Sequence, residues 1–221
     1  QKRVLDTQLC TGCGACIVLC PYQAYYNDNV VALHGCDIKE GKCYAFCPRT
    51  PTDLDALRKH FFGEEEITPE LGAMRGFYIA RSAQEPVREN AQHGGTVTTL
   101  IALALEEGII DAAIVAAGQT DCFPHAVVVS ESKELRHHGN SSFVVSPMVA
   151  KFNEIAKGEF KKMGVVATSC EALAMAKMRF QSLEKGYEPI NKLKLVIGLF
   201  CGWALSWRKV VELLRKKTDL E

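Results

Sequence analysis

Four cysteines in the stretch LCTGCGACIVLCP, namely Cys10, Cys13, Cys16 and Cys20, are spaced C-x2-C-x2-C-x3-C and followed by Pro21. Thiolates in this spacing ligate iron-sulfur clusters, and the fourth cysteine of such a run serves a different cluster from the first three. The run therefore requires one cysteine elsewhere to complete its own cluster, and partners for Cys20. The segment GKCYAFCPRTP answers the first requirement. Its Cys43-Tyr-Ala-Phe-Cys47-Pro48 repeats the ending Cys16-Ile-Val-Leu-Cys20-Pro21. Cys10, Cys13, Cys16 and Cys47 then form a tetrathiolate set for a [4Fe-4S] cluster.

The repeat is the internal pseudo-twofold pattern of a two-cluster ferredoxin, so an α+β ferredoxin-like two-cluster module is expected at the N-terminus. Its second half departs from the pattern. In GCDIKEGKC, Cys36 and Cys43 have six residues between them, none of them a cysteine. Cys20, Cys36 and Cys43 suit a [3Fe-4S] cluster, or a [4Fe-4S] cluster with a fourth ligand other than cysteine. His34, Asp37 and Glu40 are the neighbouring donors. The competing reading is a decayed site whose cysteines are only small buried residues.

Seven of the ten cysteines lie between residues 10 and 47, and only Cys122, Cys170 and Cys201 lie beyond. Cysteines packed this closely converge on a centre rather than pair across a secreted scaffold. Cluster ligation implies a reducing compartment, which favours the cytoplasm. Lys+Arg and Asp+Glu balance at 26 each, which argues against a nucleic-acid or anionic-membrane binder. The longest apolar runs, LIALAL and LKLVIGLF, are too short for a transmembrane segment.

The elements that must position these residues divide the 221-residue chain into an iron-sulfur module over 1–50, a connector over 51–75 and an α/β domain over 76–221. In the connector, Thr52 or Asp53 is placed to cap a helix through LDALRKHFF. Beyond it, apolar β-type runs (GFYIARS, DAAIVAA, HAVVVSES, GVVATS, KLVIGLF) alternate with helical patterns (TVTTLIALALEEG, SPMVAKFNEIAKGEF, CEALAMAKMRFQSLEKG, SWRKVVELLRKK). This alternation predicts a mixed, largely parallel sheet. Residues 1–50 hold few core hydrophobes, so their folding is expected to depend on metal while the domain from residue 76 stands without it.

Binding loops of such a sheet lie where strand leads into helix. Gly94 and Gly95 open a helix with Thr96, Thr98 and Thr99 in its first turn, an anion-binding geometry or an ordinary glycine-started helix. Cys170 follows the strand GVVATS, beside Ser169 and Glu171, and Cys201 follows KLVIGLF. Each is a candidate cofactor contact or a buried free thiol.

Taken together, CTGCGAC…CP, GKCYAFCPRTP, GGTVTTLIALALEEGIIDAAIV, GVVATSCEALA and IGLFC resemble the β-subunit family of coenzyme F420-dependent hydrogenases and dehydrogenases. The resemblance spans nearly the whole chain. It implies an FAD-binding α/β domain, with Gly94, Gly95, Thr96, Val97 and Thr98 along the FAD and Ser141, Ser142 and Cys170 as further contacts. Relatives carry a Ser-Lys-Tyr element where this chain has Ser141, Ser142 and Phe143, so the lysine is missing. They also continue beyond the position of Glu221 into a further cysteine-bearing segment, which implies a short form or a truncated chain. The expected function is an iron-sulfur flavoprotein subunit that passes electrons between a soluble hydride carrier, such as coenzyme F420, and a catalytic partner in a hydrogenase, formate dehydrogenase or similar complex. The alternative is an electron-transfer or adaptor subunit without its own flavin.

Overall fold

Strands that run between two layers of helices must be apolar on both faces, and DAAIVAA and MGVVAT meet that condition. The computed structural model describes residues 2–26, 28–39, 41–63, 67–68, 72–117, 125–139, 144–181 and 187–218. In chain order, α1 (Lys2–Asp6) precedes the cysteine loop, and β1 (Gln23–Tyr26) pairs antiparallel with β2 (Asn29–Ala32). The short α2 (Lys42–Ala45) leads to Cys47, and α3 (Leu54–Phe62) follows. Asp53 caps α3 by accepting from the Ala56 N–H at 2.9 Å, as one of the two expected caps. A two-stranded ladder joins β3 (Ile67–Thr68) to β4 (Gly72–Ala73), and α4 (Glu85–Glu89) precedes α5 (Thr96–Glu106).

The main sheet then forms from β5 (Ala112–Ala116), β6 (Ala126–Val129), β7 (Met163–Thr168) and β8 (Leu193–Leu199) in the order β6-β5-β7-β8. β5 pairs antiparallel with β6, whereas β5–β7 and β7–β8 are parallel, so the sheet is mixed with mostly parallel pairing. Between the strands lie α6 (Met148–Ile155) and α7 (Ser169–Phe180), and α8 (Trp207–Thr218) follows β8. No helix among the described residues is long and apolar enough to cross a membrane.

Alternation along the strands divides the core in two. Ala113 and Val115 of β5 face Ile101 and Ala104 of α5 and Leu135 of a 3-10 turn. Ala112 and Ile114 of β5, with Met163, Val165 and Ala167 of β7, face α6 and α7. Cys13, Ala15, Ala45 and Phe46 join this second cluster, and Phe46 and Phe152 are fully buried in it. The N-terminal module thus shares a core with the sheet instead of owning one. Its scarcity of hydrophobes has that physical reason, and the expected independence of the two parts gives way to a common packing seam.

Polar contacts fasten the same seam. The buried Asn153 amide of α6 donates to the Ala15 carbonyl at 3.2 Å and the Ile17 carbonyl at 3.0 Å. Gly14, at φ +75°, lies so close to α6 that a Cβ would stand 2.6 Å from the Ala150 Cβ.

One expected strand is absent. Residues 76–82, GFYIARS, form no ladder, and Phe77, Tyr78 and Ile79 are exposed. The backbone groups of the stretch are engaged elsewhere: the Ser82 N–H donates to the Gly94 carbonyl at 2.7 Å, and the Ala80 carbonyl accepts from the Thr96 hydroxyl at 3.0 Å. The run therefore buttresses the start of α5.

Asn153→Ala removes the donor to two loop carbonyls, a loss of about 1–3 kcal/mol for a buried, newly unsatisfied group. In denaturant titrations, cluster absorbance and far-UV circular dichroism are expected to move together to a lower midpoint. A shifted cluster transition with an unshifted helical transition would contradict the shared seam.

Candidate functional site

The cysteine loop and the end of α2 bring Cys10, Cys13, Cys16 and Cys47 around one small enclosed space, closed by Gly14, Ala15 and Val30. Backbone N–H groups point at two of the sulfurs. Gly12 donates to Cys10 Sγ and Arg49 to Cys47 Sγ, both at 3.4 Å. Gly12 has φ +70°, and a Cβ there would stand 2.8 Å from the Asp28 carbonyl oxygen. Glycine is therefore required in CTGCGAC on both conformational and steric grounds.

Burial holds the Cys13 thiol well above its ordinary range, and burial with the charges of Cys10 and Cys47 pushes Cys16 up to about 12. Cys13 and Cys16 therefore resist ionising, and repulsion between the crowded sulfurs adds to the effect of burial. A cationic iron-sulfide core relieves that repulsion, and the donor set fits it.

In the second cysteine set, burial first, then the charge of Cys20 and later that of Cys36, raises the Cys43 thiol. Cys36 is exposed, as are His34 and Asp37, and His34 stacks edge-on against Tyr22. Glu40, the remaining donor considered, lies outside the described residues.

Beside the first cysteine set opens a cavity of about 870 Å³, and Cys10 and Thr11 line both spaces. All of Gly94, Gly95, Thr96, Val97 and Thr98 lie on its wall, as does Cys170, whose sulfur is 3.3 Å from the Thr168 hydroxyl. Ser141 and Ser142, with Phe143, lie outside the described residues. The glycine pair does not follow a strand, as its reading as a strand-to-helix junction required. It closes a loop from α4, with Gly95 as the left-handed N-cap of α5 at φ +72°. A Cβ at Gly95 would stand 2.9 Å from Val87 Cγ1, so the local packing already demands glycine. The Thr96 and Thr99 hydroxyls are held by the Ala80 carbonyl and the Ser82 hydroxyl.

Sequence reasoning left out several wall residues. Arg49, His93, His138 and Trp203 line the cavity beside the expected Cys201, and burial holds His138 below its ordinary range. Asp28, buried, receives Arg208 at 3.0 Å across the rim, which ties the β1–β2 hairpin to α8. Burial alone would raise the Asp28 carboxyl, but hydrogen bonds from Ser206 and Arg208 hold it below the usual range.

Glu171 is the most informative omission. Its side chain, 2% exposed, lies on the cavity wall and accepts from the Thr168 N–H and hydroxyl, each at 2.9 Å, and from the Met148 N–H at 3.0 Å. One carboxylate thereby caps both α6 and α7. Thr-Ser-Cys-Glu is a capping-box signature in the sequence, but the reach to Met148 is tertiary and leaves no local trace.

Residues 77–152 match the N-terminal domain, and residues 160–221 the C-terminal domain, of the family described as coenzyme F420 hydrogenase/dehydrogenase, beta subunit. The chain belongs to this beta-subunit family. Residues 3–26 additionally match a 4Fe-4S binding domain. An uncharacterized protein of Methanocaldococcus jannaschii is 25% identical over the whole of this chain and 69% of its own length. The coenzyme F420 hydrogenase subunit beta of Methanothermobacter thermautotrophicus is 33% identical over 59% of this chain and 47% of its own. A coenzyme F420-dependent sulfite reductase of M. jannaschii is 26% identical over 97% of this chain and 34% of its own. The chain thus spans from a third to two thirds of the length of these family relatives. In structure it resembles a chain of the F420-reducing [NiFe] hydrogenase complex from Methanosarcina barkeri, with a TM-score of 0.55 at 26% identity over 64% of this chain and 49% of that one.

Burial raises the Glu171 carboxyl from an ordinary 4.5 to about 7. The folded state therefore binds this proton more tightly than the unfolded state does. The resulting stability is fully present below pH 4.5 and is lost as pH rises through about 7. Over that window the loss from this group is about 3 kcal/mol. Glu171→Gln, neutral throughout, is expected to flatten the fall in denaturation midpoint between about pH 5 and pH 8. An unchanged slope would show that Glu171 does not titrate there.

Proposed function

We propose that this chain is the electron-passing subunit of an F420-type oxidoreductase: it binds FAD in the cavity, holds cluster one with Cys10, Cys13, Cys16 and Cys47, and holds a second cluster with Cys20, Cys36 and Cys43. The observation that carries the reading is the shared wall, because Cys10 and Thr11 line both the cavity and the four-cysteine space. Electrons entering at the cavity then reach a cluster ligand without crossing solvent.

The cavity, at about 870 Å³, suits a large cofactor. Backbone N–H groups of Thr96, Val97 and Thr98 at the start of α5 would hold the pyrophosphate, with Gly94 and Gly95 allowing close approach. A flavin bound there supplies the exchange between two-electron hydride chemistry and one-electron cluster chemistry. Glu171, titrating near neutrality, holds or releases a proton on the cavity wall at its carboxylate oxygens. Cys170 and Met148 exclude water from the side next to the cluster. The carrier read from the relatives' names is coenzyme F420 or a similar soluble hydride carrier. The acceptor is a catalytic partner subunit of a hydrogenase, formate dehydrogenase or similar complex.

Because Gly95 is already required by its own helix start, a bulky residue at Thr98 is the cleaner probe. Anaerobically prepared protein is expected to contain about seven to eight irons per chain with bound flavin. Thr98→Trp should keep the iron and weaken FAD at least tenfold, about 1.4 kcal/mol. Full flavin occupancy in Thr98→Trp would remove the cofactor from this cavity, and about four irons per chain would leave the second site without a cluster.

A further inference from the structure

Lys177 of α7 is only 1% exposed. Its ammonium donates to the Cys47 carbonyl at 2.7 Å and to the Thr50 hydroxyl at 2.8 Å, both neutral acceptors. Among the described residues no ion pair joins it to a carboxylate. Burial lowers the Lys177 ammonium below its ordinary range, and the sulfur of Cys47 opposes that shift. A buried cation needs a counter-charge, because neutral hydrogen bonds do not replace the hydration it gives up. The side chain is aimed at the loop that carries the fourth cysteine of the first set, and the four cysteines there suit a group with net negative charge.

We infer that Lys177 is the fixed counter-charge of cluster one and holds its reduction potential up. The ammonium and the cluster stabilise each other across the Cys47 loop, shielded from salt by the seam that contains Phe46 and Phe152. When the cluster accepts one electron, its negative charge grows, and a nearby buried cation stabilises the reduced form more than the oxidised form. Electron transfer toward cluster one is thereby favoured over transfer to a site without such a cation. Cys36 by contrast is exposed, where solvent screens any neighbouring charge. The inference needs cluster one but not the flavin, so it stands apart from the flavin assignment.

A loop anchor and a counter-charge make different predictions. Lys177→Gln keeps a donor without the charge, Lys177→Met keeps the stem without either, and Lys177→Arg keeps the charge. In the full chain, loaded with iron and sulfide under argon, the midpoint potential is read by electron paramagnetic resonance during a mediated titration. The expected result is a lower midpoint in both Gln and Met variants and a midpoint near wild type in Arg. The iron-free chain supplies the second readout: Lys177→Met should then resist denaturant better than wild type, because a buried charge without its partner has been removed. Unmoved midpoints in Gln and Met would overturn the inference. So would an iron-free Met variant less stable than wild type, which is the result for a plain anchor and remains readable even if that variant takes up no cluster. A wild-type chain that binds no iron would overturn it too, and would also remove the cluster assignment beneath it.

Discussion

The crowding of four thiols into an apolar seam governs this molecule. Cys13 and Cys16 are buried, and burial opposes their ionisation, yet the fold presses them against Cys10 and Cys47 all the same. Such an arrangement is unfavourable until an iron core binds, and the surrounding structure is organised to tolerate it. Gly12 and Gly14 take left-handed conformations where a side chain would collide, Asn153 holds the loop carbonyls, and Lys177 brings a cation under Cys47. The seam is also the main core, since Phe46 from the cysteine module packs in the same cluster as Phe152 and Val165.

That arrangement places the cavity. The C-terminal ends of β7 and β8 meet the start of α5 on one side and the cysteine loop on the other, so Thr168, Leu199, Gly95 and Cys10 line one space. Glu171 ties this wall together by capping α6 and α7 at once. Its raised carboxyl has the same origin as the raised thiols, namely burial beside the cluster seam.

Much of this was legible in the sequence because it is local. The cysteine spacing, the Asp53 cap and the apolar runs of β5 and β7 each carry their own signal within a few residues. The Cys16–Cys20 and Cys43–Cys47 repeat pointed to Cys47, which the fold brings beside Cys10, Cys13 and Cys16. What escaped is tertiary. GFYIARS has the composition of a strand, but its carbonyls and N–H groups are taken by Thr96 and Gly94. Gly95 suggested close approach of a ligand, whereas Val87 already excludes a side chain there. Lys177 and Asn153 read as ordinary polar positions of amphipathic helices, and only the packing of the cysteine loop against α6 and α7 buries them. The shared core escaped for the same reason, since composition reports how few hydrophobes a segment has but not whose core they enter.

A core shared by the cysteine loop and the sheet domain makes the two one cooperative unit. Hydrogen exchange followed by mass spectrometry, on the iron-loaded chain and on the same chain stripped by a chelator, reads that cooperativity amide by amide. Amides of α6 and α7 are expected to lose protection together with the cysteine loop when iron is removed. Full protection of α6 and α7 in the stripped chain, with exchange confined to the cysteine loop and α2, would contradict it.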